Sequence, residues 1–201
     1  LQGSPLHGWN LVVKRVLDLI GASLALVLMA PLFALFAGLV KLSSSGPVFY
    51  RQRRMGLDGR GFEMLKFRSM RWNAESETGP VWTHVNDRRR TKIGSFLRQT
   101  SLDELPQFWN VLKGEMSIVG PRPERPEFIV RFRQSLPQYM LRHKMKAGIT
   151  GWAQVNGWRG NTSLEKRIEY DLYYIDHWSI LFDLKILWLT VWKGMFHKNA
   201  Y

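Results

Sequence analysis

One short stretch of this chain, Ser101-Leu102-Asp103-Glu104-Leu105-Pro106, carries the residue types that phosphorus chemistry needs. Two adjacent carboxylates can divide the work. One can attack phosphorus as a nucleophile, and the other can hold Mg²⁺ through oxygen. The same residues have a plain structural reading. Ser101 with Glu104 three residues on is a capping box, and Pro106 suits a first helical turn. On these residues alone the cap is the better reading. The surroundings favour chemistry. A helix start offers free N–H groups and partial positive charge, and both attract phosphate. Arg98 lies just before it, and Arg122 follows inside Gly120-Pro121-Arg122-Pro123, on a backbone with little freedom. Two such arginines can clamp phosphate oxygens in a bidentate way. A second basic element is Lys66-Phe67-Arg68-Ser69-Met70. Taken alone it reads as a solvated strand edge. Beside the two arginines it adds Lys66 and Arg68 to the phosphate-binding candidates.

The elements that must position these groups follow from pattern. Leu19 to Val40 holds no charge, and at about 1.5 Å per residue it matches a hydrocarbon core of about 30 Å. Pro31 sits near its middle, cannot donate a hydrogen bond and clashes with the Val27 carbonyl, so the helix must kink or break there. Lys14 and Arg15 precede the run, and Lys41, Arg51, Arg53 and Arg54 follow it. Positive charge favours the cytoplasmic side, and both flanks are positive. A hairpin that leaves by the face it entered satisfies both facts. A kinked spanning helix stands equally well on the residues alone.

Val48 to Tyr50 reads as a short strand, Met55 to Gly61 as a turn, and Phe62 to Phe67 as a partner strand. Asn73 to Asp87 reads as a loop. Helical patterns follow Arg88-Arg89-Arg90, span Leu105 to Leu112 before Gly114, and lie on both sides of Pro137 between Glu127 and Lys146. Gly148 to Gly160 reads as loop or short strand. Ser163 caps a helix running to His177. Ile180 to Phe196 is apolar but carries Asp183, Lys185 and Lys193, with Trp188 and Trp192 on one face. It is either an interfacial helix or one that closes the core. The expected organisation is linker or appended residues over 1–10, a membrane segment over 11–42 and a catalytic domain over 43–201. The fold class is α+β.

Composition narrows the partners. Among 201 residues, 29 Lys and Arg against 16 Asp and Glu give a net charge of +13. That calls for an anionic partner: nucleic acid, an acidic membrane face or a phosphorylated substrate. The 9 tryptophans suit a membrane–water interface. The absence of cysteine excludes disulfides and thiolate chemistry. The five histidines show no zinc spacing, and no Walker loop or G-x-G-x-x-G is present. A membrane-tethered nucleic-acid module fits the charge, but the arginines are spread among Gly-Pro motifs and do not line one helix. A membrane-remodelling scaffold is the other rival.

Several long motifs carry a resemblance. They are Lys14-Arg15 with Asp18, the proline-broken apolar run, Gly46-Pro47-Val48-Phe49, Lys66 to Met70, and the block Arg98 to Pro123. Together they resemble the monotopic phosphoglycosyl transferases, the bacterial sugar transferase family. The tail, with His143-Lys144, Gly148-Ile149-Thr150-Gly151-Trp152-Ala153-Gln154 and Asn156-Gly157-Trp158-Arg159-Gly160, is similar to undecaprenyl-phosphate glucose phosphotransferases of colanic-acid type. The resemblance implies a monotopic protein at the cytoplasmic face of the bacterial inner membrane. It implies a re-entrant helix broken at Pro31, a small sheet or hairpin and short interfacial helices. Asp103 would attack the β-phosphorus of a UDP-sugar, form a covalent sugar phosphate, and yield it to undecaprenyl phosphate. Mg²⁺ would sit near Asp103 and Glu104, with Arg98 and Arg122 on phosphate oxygens. The implied partners are a UDP-sugar, undecaprenyl phosphate and membrane lipids, with no nucleic acid; a homodimer is left open. Two departures stand out. The family often places Ser before the helix-breaking proline, where this chain has Ala30. Members of the branch usually carry membrane helices and a domain ahead of the catalytic part, so a short natural form or a catalytic portion is expected.

Overall fold

The computed structural model describes residues 6–74, 87–129, 137–160 and 162–196. Helix α1 (Trp9–Leu28) and helix α2 (Ala30–Ser43) meet at Met29 with a bend of 63°. Pro31 lies in the first turn of α2, where its missing N–H costs nothing. A backbone N–H at the break bonds the Val27 carbonyl, so the loss expected there is met locally. Among the described residues no single helix is long and apolar enough to cross a membrane; the bent pair passes by length and composition.

α1 starts well before the apolar run because the charges at its head are matched. Lys14 Nζ lies 2.7 Å from Asp183 and 3.7 Å from Asp18. Asp18 accepts from Ser117 Oγ and from the Ile118 N–H. Arg15 donates to the Val111 and Leu112 carbonyls at 2.6 and 2.8 Å. These are last-turn carbonyls of α4 (Gln107–Lys113), a place where cations are favoured.

Strand β1 (Phe49–Met55) pairs antiparallel with β2 (Gly61–Phe67), Phe49 opposite Phe67 and Met55 opposite Gly61. The hairpin was expected, but β1 runs past Tyr50 through four charged or polar residues. Burial alternates along it, with Arg51 and Arg53 outward, so the pleat tolerates them. Phe67 packs with Phe36, Val40, Leu97 and Leu105, joining α2, the hairpin and α3 (Lys92–Gln99).

β3 (Ser117–Val119) pairs in parallel with β4 (Gly148–Thr150). Of the loop or short strand read over Gly148 to Gly160, Gly148–Thr150 is strand, but Trp152–Val155 forms a short helix, α5, that the glycine-rich sequence did not suggest. The stretch Pro137–Lys144 is a 3₁₀ helix where α-helix was expected. The predicted helix upstream of Pro137 and the loop after Asn73 fall largely outside the described residues.

α6 (Leu164–Asp176) is capped by Ser163, whose Oγ accepts from the Lys166 N–H. α7 (Ile180–Phe196) does two jobs. Asp183 and Ile186 are buried in the core formed by Val119, Tyr174, Ile175 and Trp178, while Leu181, Leu184, Trp188, Val191 and Trp192 are exposed. One face therefore closes the core, as one of the two readings had it, and the other face is apolar and exposed.

Candidate active site

The turn between α3 and α4 holds the carboxylates. Ser101 adopts a left-handed conformation, φ 57°, and Leu102–Glu104 form one 3₁₀ turn. The capping box is not formed, since Ser101 makes no side-chain cap. The reason is electrostatic: Glu104 has turned to two cations instead of to the backbone. Lys66 Nζ lies 2.6 Å from Oε1, and Arg122 donates to Oε1 at 2.5 Å and to Oε2 at 3.2 Å. Asp103 therefore sits in a tight turn ahead of α4, not at the start of a long helix, and the helix-dipole part of the sequence argument loses weight.

Neighbouring elements fix these cations. Asn110 on α4 is fully buried and clamps β2 on either side of Met64, accepting from the Leu65 N–H at 3.0 Å and donating to the Glu63 carbonyl at 2.7 Å. That brings Lys66 against Glu104. Arg122 rides on a strap whose carbonyls are all engaged. Gly148 N–H bonds Pro121, Arg142 bonds Arg122, Arg54 bonds Pro123 and Met55 N–H bonds Glu124. Gly120 and Gly148 approach so closely that a Cβ on Gly148 would lie 2.1 Å from the Gly120 nitrogen. Only glycine permits that approach.

The two adjacent carboxylates have opposite environments. Burial works against the Glu104 carboxylate, but Arg122 and Lys66 outweigh it and hold its pKa far below the usual range. Asp103 is buried, and among the described residues nothing is hydrogen-bonded to its carboxylate. Burial raises its pKa; Lys66, Arg98 and Arg122 pull it back, while Glu104 pushes it up. Environments that push neighbouring carboxylates apart mark division of roles. Lys66 is itself depressed by burial, against the pull of Glu104 and Asp103.

The site thus gathers Asp103, Glu104, Lys66 and Arg122, with Arg98 close enough to be felt by Asp103. It does not gather Arg68. That guanidinium is buried against the end of α2, donating to the Ser45 carbonyl at 2.8 Å, to Ser44 at 2.7 Å and to Val40 at 3.2 Å. It closes a helix C-terminus and so does not act on phosphate. Pro31 is at the helix break, apart from the carboxylates. Arg54, one of the basic residues that follow the apolar run, is turned inward and bonds Pro123 and Gln52. Sequence reasoning missed Arg159 as a site residue. It is half-buried and lies in the fields of Arg122 and Glu104. Its signal was an arginine between Gly157 and Gly160, both with positive φ, much as Arg122 lies between prolines.

Mg²⁺ prefers carboxylate oxygens shared with substrate phosphates. Among the described residues no three His, Asp or Glu side chains converge on a metal position. Asp103 offers unbonded oxygens and fits as one ligand. Glu104 offers less: Oε1 already accepts from Lys66 and Arg122, and Oε2, with one bond at 3.2 Å, keeps a single acceptor position.

A sheltered carboxylate among fixed cations, carried beside a bent apolar helix pair, defines a site suited to phosphoryl groups. The chain belongs to the bacterial sugar transferase family, whose model matches residues 9–197. It is 53% identical to the UDP-glucose:undecaprenyl-phosphate glucose-1-phosphate transferase of Escherichia coli (strain K12), over 100% of this chain and 44% of that protein. A protein of the same name from Caulobacter vibrioides is 43% identical, over 94% of this chain and 72% of its own length. The UDP-N-acetylgalactosamine-undecaprenyl-phosphate N-acetylgalactosaminephosphotransferase of Aeromonas hydrophila is 42% identical, over 95% of this chain and 45% of its own. The chain thus spans less than half the length of the first and third of these relatives.

Proposed function

We propose that this chain transfers a sugar 1-phosphate, most consistently glucose 1-phosphate, from a UDP-sugar to undecaprenyl phosphate. Such a reaction would start exopolysaccharide, O-antigen or capsule synthesis. The observation that carries the mechanism is the asymmetry of the two carboxylates: Glu104 is bound by Lys66 and Arg122, and Asp103 is left unbonded beside them. An Asp103 oxygen attacks the β-phosphorus. The bond from that phosphorus to the bridging oxygen breaks, and UMP leaves with the electron pair. An oxygen of undecaprenyl phosphate then attacks the same phosphorus, expels the Asp103 carboxylate and forms the diphosphate-linked sugar. Arg122, Lys66 and Arg98 hold the charge of the phosphate oxygens in place through both displacements. Mg²⁺, bound with the diphosphate and Asp103, would neutralise non-bridging oxygens.

The mechanism has a direct test. Enzyme given UDP-sugar and no lipid acceptor gains the mass of one hexose phosphate on the peptide containing Asp103, with ping-pong kinetics. An unmodified peptide after rapid quenching, with sequential kinetics, would mean direct attack by the lipid. The sugar is a separate question. Relatives named for UDP-glucose and for UDP-N-acetylgalactosamine both match nearly the whole chain. UMP release across a panel of UDP-sugars decides it, and glucose is the expected preference.

The bent helix pair supports a re-entrant hairpin at the cytoplasmic face of the inner membrane. Pro31 and the 63° bend favour return to the entry side, and so do the basic flanks. Asn10→Cys adds a single thiol to a chain without cysteine. In intact cells an impermeant thiol reagent should leave it unlabelled. In a Pro31→Leu background, continuity of the helix should expose a fraction to labelling. Labelling of the Asn10→Cys protein with Pro31 still in place would mean that the segment spans.

A further inference from the structure

Among the described residues Arg142 is the largest fully buried side chain, and it lies outside the carboxylate site. Its Nη2 makes two bonds, at 2.6 Å to Asp171 Oδ2 and at 2.9 Å to the Arg122 carbonyl, while Nη1 donates to the Tyr139 hydroxyl at 3.2 Å. Asp171 is equally buried, on α6. A buried ion pair is a poor source of stability, because the desolvation of both groups offsets their attraction. A pair retained at such cost invites a role in geometry. The strap bearing Arg122 shows what that role is. Pro121 and Glu124 are held by backbone N–H groups, which any residue would supply. The Arg122 carbonyl is held by a fully buried guanidinium that a buried carboxylate locks at 2.6 Å; Arg54, which holds the Pro123 carbonyl at 3.3 Å, has only a looser pairing, 3.9 Å from Glu124.

We infer that Arg142 and Asp171 are positioning residues: they fix the peptide of Arg122, and so aim its guanidinium at Glu104 and at the phosphate that Asp103 attacks. The chain of contacts runs from α6 through Asp171 and Arg142 to the Arg122 carbonyl, and from the Arg122 guanidinium to Glu104 at 2.5 Å. The pair acts on catalysis only through Arg122 and touches no substrate. A small misplacement of a clamping group is costly in rate even when its charge is unchanged.

The inference rests on the transfer reaction proposed above, and the test separates the two. Asp171→Asn keeps the shape of the side chain but removes the charge that locks Arg142. It should lower kcat/KM for UMP release roughly 10- to 100-fold, while membrane binding persists. A double-mutant cycle then distinguishes aiming from general loosening. The losses from Asp171→Asn and Arg122→Ala should be strongly non-additive, because both remove the same clamp. The losses from Asp171→Asn and Arg98→Ala should multiply. If Asp171→Asn does not fold, Arg142→Lys takes its place in both cycles, since one ammonium cannot replace the two-armed guanidinium. Multiplicative losses with Arg122→Ala, or wild-type kcat/KM in a folded Asp171→Asn protein, overturn the inference. Absence of UMP release from the unaltered protein would instead overturn the proposed reaction.

Discussion

Asp103→Asn should abolish UMP release, by about 10³-fold or more, and should not destabilise the fold. Loss of a nucleophile removes the covalent route, and comparable losses in other covalent enzymes are at least that large. The stability side follows from the sign of the pKa shift. Burial raises the Asp103 pKa, so the native state binds this proton more tightly than the unfolded chain does. Its contribution to stability is then present below the unfolded pKa and is lost as pH rises through the folded one. At neutral pH the charged form is a burden on the fold. An amide of nearly the same shape carries no such burden, so thermal unfolding should occur at the same temperature or higher. Inactivity with unchanged or raised Tm would separate a chemical role from a structural one. Substantial turnover by the variant would remove Asp103 from the mechanism.

Glu104→Gln should behave in the opposite way. Glu104 neutralises two largely buried cations, Lys66 and Arg122. Removing one partner of a buried ion pair leaves charge uncompensated, at a cost of about 3–5 kcal/mol. A marginally stable fold loses much of its stability on that scale. Turnover should also fall, by about 10²-fold or more, because Arg122 and Lys66 lose the group that orients them. The pH dependence has a definite sign. The Glu104 pKa is lowered in the fold, so its stabilisation is present above the unfolded pKa and fades as pH falls towards the folded one. The unaltered protein should therefore keep this contribution into mild acid, and the difference in Tm between it and Glu104→Gln should shrink as pH falls further. A gap that stays constant down to strong acid would show that the ion pairs contribute little.

The sequence disclosed local features more readily than distant partnerships. The hairpin, the helix capped by Ser163 and the break at Pro31 are written in spacing within a few residues, and each is present. The candidate site was legible as a set of residue types: Asp103, Glu104, Arg98, Arg122 and Lys66 do converge. Their pairing was not legible. Ser101 and Glu104 match a capping box, and nothing local reveals that Lys66, on a strand 38 residues upstream, would claim the carboxylate first. Arg68 looked equivalent to Lys66 because the two are close in sequence, yet Arg68 lies just past the end of β2 and went to the end of α2. The buried partners Asp171 and Arg142 were invisible for a related reason. A charge on a helix reads as solvated until its counterion, 29 residues away, is known to lie beneath it.

The head of α1 has a practical consequence for anyone preparing this protein. Lys14, Arg15 and Asp18 belong to the helix that leads to the apolar run, yet they lock onto Asp183, the end of α4 and the strand at Ser117. The bent helix pair is therefore not a detachable tag. Trimming the chain to just before the hairpin, in the hope of a smaller fragment, would leave Asp183 without its ammonium and the Ile118 N–H without its carboxylate acceptor. The piece that remained would lack a keystone of its own interior.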